Sequence, residues 1–233
     1  NEGVRIYENT AAREISVGSV ITEHGTVTAE HIVVCTDHWL GELERAGTEV
    51  YHAQTFLGIT YPLTNELRDY MFPQSELMVW DTELIYQYFR ILPDNRLLMG
   101  GSNILYTYEP RAALDLSIVR RKLQKYMRFN FPDLENMEFE YIWPGLIGVS
   151  KDFLPVAGVS KLDENVMYIG GAAGLPWAAA LGKYMADKIL TGRDDMDKYF
   201  SADRDFVIGQ KTQSVLRKPL TFALSHGYEK FVR

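Results

Sequence analysis

Two groups of residues have types and spacings that could do chemistry. The first is Gly170-Gly-Ala-Ala-Gly174 with Leu175, Pro176 and Trp177. It follows the short apolar run Val166-Met-Tyr-Ile169 and opens a segment with apolar residues at helical spacing. Small residues let another backbone or a flat ligand come close. A helix starting there would present unpaired N–H groups and the positive end of its dipole. Such an end suits a phosphate, a carboxylate or a carbonyl oxygen that gains negative charge during reaction. The same residues also read as a tightly packed strand-to-helix turn with no ligand. The second group is Tyr86, Tyr88 and Arg90. Alternate positions share one face of a strand. An arginine there could hold a carboxylate through two parallel hydrogen bonds. The alternative is an aromatic pair with Arg90 stacked on it.

Other residues carry less. Asp37 and His38 are neighbours, but adjacency in sequence does not make an acid–base pair. Asp152 and Pro155 suit a turn. Arg120, Arg121, Lys122, Lys125 and Arg128 suit the solvated face of a helix. The chain has no G-x-G-x-x-G, no G-x-x-x-x-G-K-[ST], no H-E-x-x-H and no C-x-x-C. It also lacks a G-x-S-x-G elbow. Histidines 24, 31, 38, 52 and 226 show no paired ligand spacing, so no metal site is expected. No residue is assigned as catalytic.

The elements that must position these groups follow from pattern. Short strands with turns fill the first forty residues. Ile15 to Ile21 is β-rich, and Glu23-His24-Gly25-Thr26 is a turn. His31 to Cys35 is continuously apolar after the histidine, which predicts a strand buried on both faces. Gln54 to Leu63, Leu77 to Asp81 and Glu83 to Ile91 read as strands. Pro93-Asp-Asn95 turns the last of these into a hairpin with Arg96 to Gly101. A helix is expected from Pro110 to about Arg128, with Leu116, Val119, Leu123 and Tyr126 or Met127 on its apolar side. Phe139 to Ile147 and Leu154 to Gly158 read as extended. A second helix is expected from Pro176 to Leu190, with a stripe of Ala178, Leu181, Met185 and Ile189. Gly182 within it suggests tight packing against a neighbour, and Gly192 suits its left-handed stop. The tail after it carries no clear pattern. The fold class is α+β.

Composition bounds the function. The chain has 233 residues, 46% apolar and 24% charged, close to the globular average. The net charge of −7 argues against a sequence-independent nucleic-acid binder. No apolar run approaches the roughly 20 residues that a membrane helix needs. The single cysteine, Cys35, leaves no internal disulfide framework, and a reducing, cytoplasmic location is expected. The chain opens at Asn1 on turn and strand residues, which reads as an entry in mid-protein.

Three segments in order resemble a known family. Ile21 to Thr36 is similar to a "T-x-x-G-x-[IV]-x-A-x-x-V-V" strand pair. Tyr86-Gln-Tyr-Phe-Arg90 with Asp94 to Gly101 is similar to a "Y-x-x-x-R … D-x-R-L-L-x-G-G" hairpin. Trp143-Pro-Gly145, Asp152-Phe-Leu-Pro155 with Gly158, and Asn165 through Gly182 resemble a "W-x-G … D-x-x-P-x-x-G … N … G … G" signature. All three belong to the C-terminal half of the D-amino-acid oxidase, glycine oxidase and sarcosine oxidase superfamily, which is FAD-dependent.

The resemblance implies an antiparallel-sheet substrate domain over residues 46–149. Residues 1–45 and 150–192 would be pieces of an FAD-binding domain whose N-terminal Rossmann half is absent, and 193–233 a C-terminal tail. It implies FAD as cofactor, held by Gly170, Gly171, Gly174, Leu175 and Pro176, with the helix end at the flavin N1–C2=O edge. It implies Tyr86, Tyr88, Arg90 and Trp177 as substrate contacts, Trp177 also reading as a core aromatic. The expected reaction is oxidation of a C–N bond in a small amine or amino acid by hydride transfer to flavin. The missing nucleotide-binding half is an expected partner. The alternative is a non-catalytic binding domain that has lost that half. Two departures stand out. Asp37 falls near the glycine where the family's chain passes the nucleotide. Ile147 falls where other members anchor the substrate carboxylate.

Overall fold

The computed structural model describes residues 3–43, 49–74, 77–82, 86–101, 105–106, 116–171 and 174–232. The strands are β1 (Ala12–Ser16), β2 (Ser19–Thr22), β3 (Gly25–Thr28), β4 (Ile32–Val34), β5 (Tyr51–Thr60), β6 (Met78–Trp80), β7 (Gln87–Ile91), β8 (Leu97–Gly101), β9 (Leu105–Tyr106), β10 (Phe139–Val149), β11 (Val156–Val159) and β12 (Val166–Gly170). The helices are α1 (Leu40–Leu43), α2 (Asn65–Met71), α3 (Leu116–Asn130), α4 (Leu175–Thr191), α5 (Asp197–Phe200) and α6 (Gln210–Val232). The class is mixed α and β with antiparallel sheets. The chain divides into two compact units. One comprises Asn1–Tyr51 with Gly148–Arg233, the other His52–Ile147.

The second unit is built on a six-stranded sheet of order β10-β5-β8-β7-β6, with β9 pairing β5. One face of it is covered by α3. Val119, Leu123 and Met127 recur every four residues, so all three point to one side of the helix. They pack on Phe56, Phe89, Ile91, Leu97, Met99 and Phe139 from the sheet. Gly58 makes room for this contact, because a Cβ there would lie 2.7 Å from the Phe139 ring. The β7–β8 hairpin turns at Asn95, which takes the left-handed φ of 62° that asparagine tolerates. Tyr86 lies just outside β7, and residues 83–85 of the expected strand are outside the described ones. The same holds for the expected helix start near Pro110.

The first unit holds a meander, β1-β2-β3, and a three-stranded sheet of order β11-β12-β4. β11 runs antiparallel to β12, and β12 parallel to β4. All five residues of β12 are buried. Val166 and Tyr168 join Ile32, Val34, Leu40 and Val156 on one side, while Met167 and Ile169 meet Leu181, Met185 and Phe200 on the other. The strand at 32–34 differs from expectation. Ile32 and Val34 are buried but Val33 is exposed, because β4 is the edge of its sheet. The stripe of α4 also differs. Ala178 is exposed, and Tyr184 joins Leu181 and Met185 as the buried residues. Gly182 is exposed, with nothing among the described residues within 4 Å of where its Cβ would be. Gly192 ends the helix with φ 73°, its N–H donating to the Lys188 carbonyl.

Candidate functional site

The glycine turn lies at the carboxyl end of β12, beside the end of its parallel neighbour β4. Open α/β sheets bind ligands at strand ends of this kind. Gly170 is buried so closely that a Cβ would sit 2.6 Å from Leu40 Cδ2. Gly171 takes φ 61° and Gly174 φ 102°. A side chain at Gly174 would be strained, and its absence leaves the start of α4 without a side-chain cap. Pro176, in the first turn, has no N–H to satisfy. The first turn faces solvent: Leu175 is 85% exposed. Trp177 is exposed, its ring edge-to-face with Phe200 at 5.6 Å between centroids. Residues 172 and 173 of the turn lie outside the described ones; the exposed, uncapped start of α4 at Gly174 and Leu175 fits a flavin edge that becomes negative.

Beside this turn, Asp37 follows β4 and takes a left-handed φ of 48°. That conformation is natural for glycine and costly for most other residues, though aspartate tolerates it. Its carboxylate accepts the Gly148 N–H at 2.7 Å. A Cβ on Gly148 would lie 2.6 Å from Asp37 Oδ1, so the two positions are matched. The backbone shape expected of a glycine is thus kept by an aspartate with a local hydrogen bond. His38 Nδ1 lies 3.4 Å from Asp37 Oδ2, at the limit of a hydrogen bond, and its ring stacks on Trp39 with centroids 4.0 Å apart.

In the second unit, Tyr88 and Arg90 lie on the sheet face opposite α3, since Phe89 between them is in the core. Tyr86 is 44% exposed, and its ring lies 5.9 Å from that of Tyr88. Burial, then the neighbouring Tyr86, raises the Tyr88 phenol above its usual pKa. Tyr88 leans over Gly100, where a Cβ would be 2.6 Å from its Oη. Gly101 is also required: its φ is 104°, and a Cβ there would meet the Tyr86 carbonyl at 2.0 Å. The paired glycines that end β8 therefore seat both tyrosines. The Arg90 side chain is exposed, and its guanidinium makes no hydrogen bond, ion pair or ring contact among the described residues. It stands across from Met78 on β6 and Leu98 on β8. Sequence reasoning missed Trp80, which is exposed and pairs with Tyr88 across the β6–β7 ladder. The alternation of β6 could have revealed it once the partner strand was known.

A third feature was not foreseen. Asp152 does shape its turn, accepting from the Leu154 N–H and the Ser150 hydroxyl. It also takes two bonds from Arg204, at 2.8 and 2.7 Å. Burial works to raise the Asp152 carboxyl, but Arg204, Ser150 and Leu154 outweigh it and hold the group below the usual carboxylate range. Next to it, Lys151 and Glu49 form a fully buried ion pair at 2.6 Å. Of the basic run on α3, Arg120 and Arg128 bond to the carbonyls of Phe139 and Glu135, while Arg121, Lys122 and Lys125 are exposed. Among the described residues no group of three or more His, Cys, Asp or Glu could hold a metal ion. No described helix is long and apolar enough to cross a membrane.

Comparison with known proteins defines the class. The family model described as FAD-dependent oxidoreductase (DAO) matches residues 1–188. The chain belongs to this family, whose cofactor is FAD. It is 29% identical over 203 residues to the probable oxidoreductase OrdL of Rhizobium meliloti (strain 1021), covering 84% of this chain and 45% of that protein. It is 29% identical over 184 residues to the gamma-glutamylputrescine oxidoreductase of Escherichia coli (strain K12), covering 74% of this chain and 39% of that one. Glycine oxidase from Geobacillus kaustophilus has a similar fold, with a TM-score of 0.65 at 23% identity, over 85% of this chain and 53% of that one. The chain spans about half the length of the curated relatives it matches or less.

Proposed function

We propose that this chain is part of an FAD-dependent oxidoreductase that oxidises a C–N bond of an amine or amino acid. In this reading residues 46–149 bind substrate, and residues 1–45 and 150–192 contribute to the FAD-binding domain. The single observation that carries the reading is the uncapped helix start at Gly174. It follows a glycine turn at the end of a parallel strand, in a chain of this family. When bound, FAD supplies the acceptor for a hydride from the carbon beside the substrate nitrogen.

The chain's own residues have distinct tasks. Gly170 and Gly171 let the turn pack closely on Leu40 and Ser150, and the exposed, side-chain-free Gly174 leaves the ring system room to approach. The N–H groups of Leu175 and Trp177 and the α4 dipole favour negative charge at the ring's edge. The Arg90 guanidinium, which no described side chain engages, binds an anionic group of the substrate. The apolar Ile147 leaves that task to Arg90. Tyr86 and Tyr88 offer flat surfaces to the substrate's body.

A nucleotide-binding half, in the same chain or another, completes the site. Two observations support this. β4 is a sheet edge with Val33 exposed, and such edges are normally covered. α4 also turns Ala178, Ala179 and Gly182 to solvent. A further parallel strand and helix would bury both surfaces.

The test is anaerobic mixing of the flavin-loaded native protein with a panel of primary and secondary amines and amino acids. Bleaching of the flavin band by one of them is the expected result. Bound flavin that none of them reduces would overturn the C–N oxidation reading.

A further inference from the structure

The segment after α5 is held to its unit in an unusual way. Among the described residues from 203 to 225, Thr221, Phe222 and Ser225 are buried and Phe206, Ile208 and Leu216 half-buried, so Phe222 is the one fully buried apolar anchor among them. Charges do most of the holding. Arg204, only 5% exposed in its side chain, binds both oxygens of Asp152. It also donates to the carbonyls of Leu154, Pro155, Phe200 and Ser201. Lys151 donates to the Ile208 carbonyl at 3.0 Å while paired with Glu49. The Phe206 ring receives both cations: the Lys151 ammonium lies 4.2 Å and the Arg204 guanidinium 4.4 Å from its centroid. Further along, Tyr51 donates to Gln213, and Lys218 and Phe222 flank the same ring. Burial lowers the Lys218 pKa, and Glu49 partly offsets this. Between the anchored patches, Arg217 breaks the helix with φ 62° and ψ 161°, a conformation nearly confined to glycine.

We propose that residues 203–225 form a strap that opens from the rest of its unit as one piece, released when the buried Glu49/Lys151 and Asp152/Arg204 ion pairs are broken. The charge count explains why. The body of the unit offers two carboxylates and one ammonium at this place. The strap brings the second and third cations, Arg204 and Lys218. Losing Lys151 leaves the Glu49 carboxylate buried without its partner, and losing Arg204 leaves Asp152 with only the Leu154 N–H and the Ser150 hydroxyl. The strap then has little apolar surface to keep it seated, which puts it at the low-stability end of the unit. Opening uncovers Tyr51 and Phe153, whose rings pack on Phe222. The inference does not depend on the cofactor reading.

Amide hydrogen exchange on the full protein tests it, in Lys151→Met and Arg204→Gln. Exchange across 203–225 should speed up at least tenfold in each, with 156–170 and 175–191 unchanged. Equal acceleration in those segments, or none in 203–225, would overturn the proposal. Should a variant fail to fold, exchange in the unsubstituted protein at rising urea decides. The strap should open at lower urea than β12, and simultaneous opening of the two contradicts it.

Discussion

Two segments of the same unit are held by opposite means. α4 is locked by Leu181, Tyr184 and Met185 against the buried strand β12. The segment from Arg204 to Ile208 is locked by ion pairs, carbonyl contacts and cations on rings. Apolar burial is non-directional and tolerates small shifts. A buried ion pair depends on geometry and fails when one partner is lost. The glycine turn is therefore carried by the first kind of contact, which suits a site that must keep its shape. The second kind allows a segment to be released.

The largest effect should fall on the apolar lock. Leu181→Ala, at a residue 1% exposed, is expected to cost about 3 kcal/mol of stability in urea denaturation. Arg204→Met should cost somewhat less, on the order of 2 kcal/mol. It should also change the acid limb. The Asp152 carboxyl is held below its ordinary value, so it adds stability above about pH 4 that is lost as the pH falls through the folded value. The variant should flatten that part of the stability–pH curve. Gly174→Asp adds a strained φ and a negative charge at the helix start. FAD affinity should fall about tenfold or more, on the order of 1.4 kcal/mol, measured by flavin titration. Arg90→Ala should raise KM for an anionic amine substrate by a similar factor and leave FAD affinity unchanged. Unchanged steady-state kinetics would remove Arg90 from the substrate site. Lys183→Ala, on the exposed side of α4, should leave stability unchanged within error, although it breaks the pair with Asp187.

The same contrast decides what could be read from sequence. α3 and α4 announce themselves, since Val119, Leu123 and Met127, or Leu181 and Met185, repeat at helical spacing. The β7–β8 hairpin was legible from its alternation and from Pro93-Asp-Asn95. The register of β4 was not. Val33 looks like a core residue until the strand is known to be an edge, and edge position depends on which strands pair. Gly182 shows a related limit: its neighbour is not among the described residues of this chain. The glycines at 170, 171 and 174 and the alternate positions of Tyr88 and Arg90 on one strand face are visible as spacing. Trp80 was not, because its place opposite Tyr88 is set by cross-strand register. The strap left no periodic trace, since Asp152 and Arg204 meet across 52 residues. Asp37 shows a subtler limit: its side chain suggests a departure from glycine, yet its φ of 48° keeps the glycine shape.

The central claim is that the turn at 170–176 belongs to an FAD site. Native mass spectrometry of the protein isolated from its own source tests it most directly. The expected result is one FAD bound for each copy of this chain. A flavin-free protein that also fails to take up added FAD would contradict the claim.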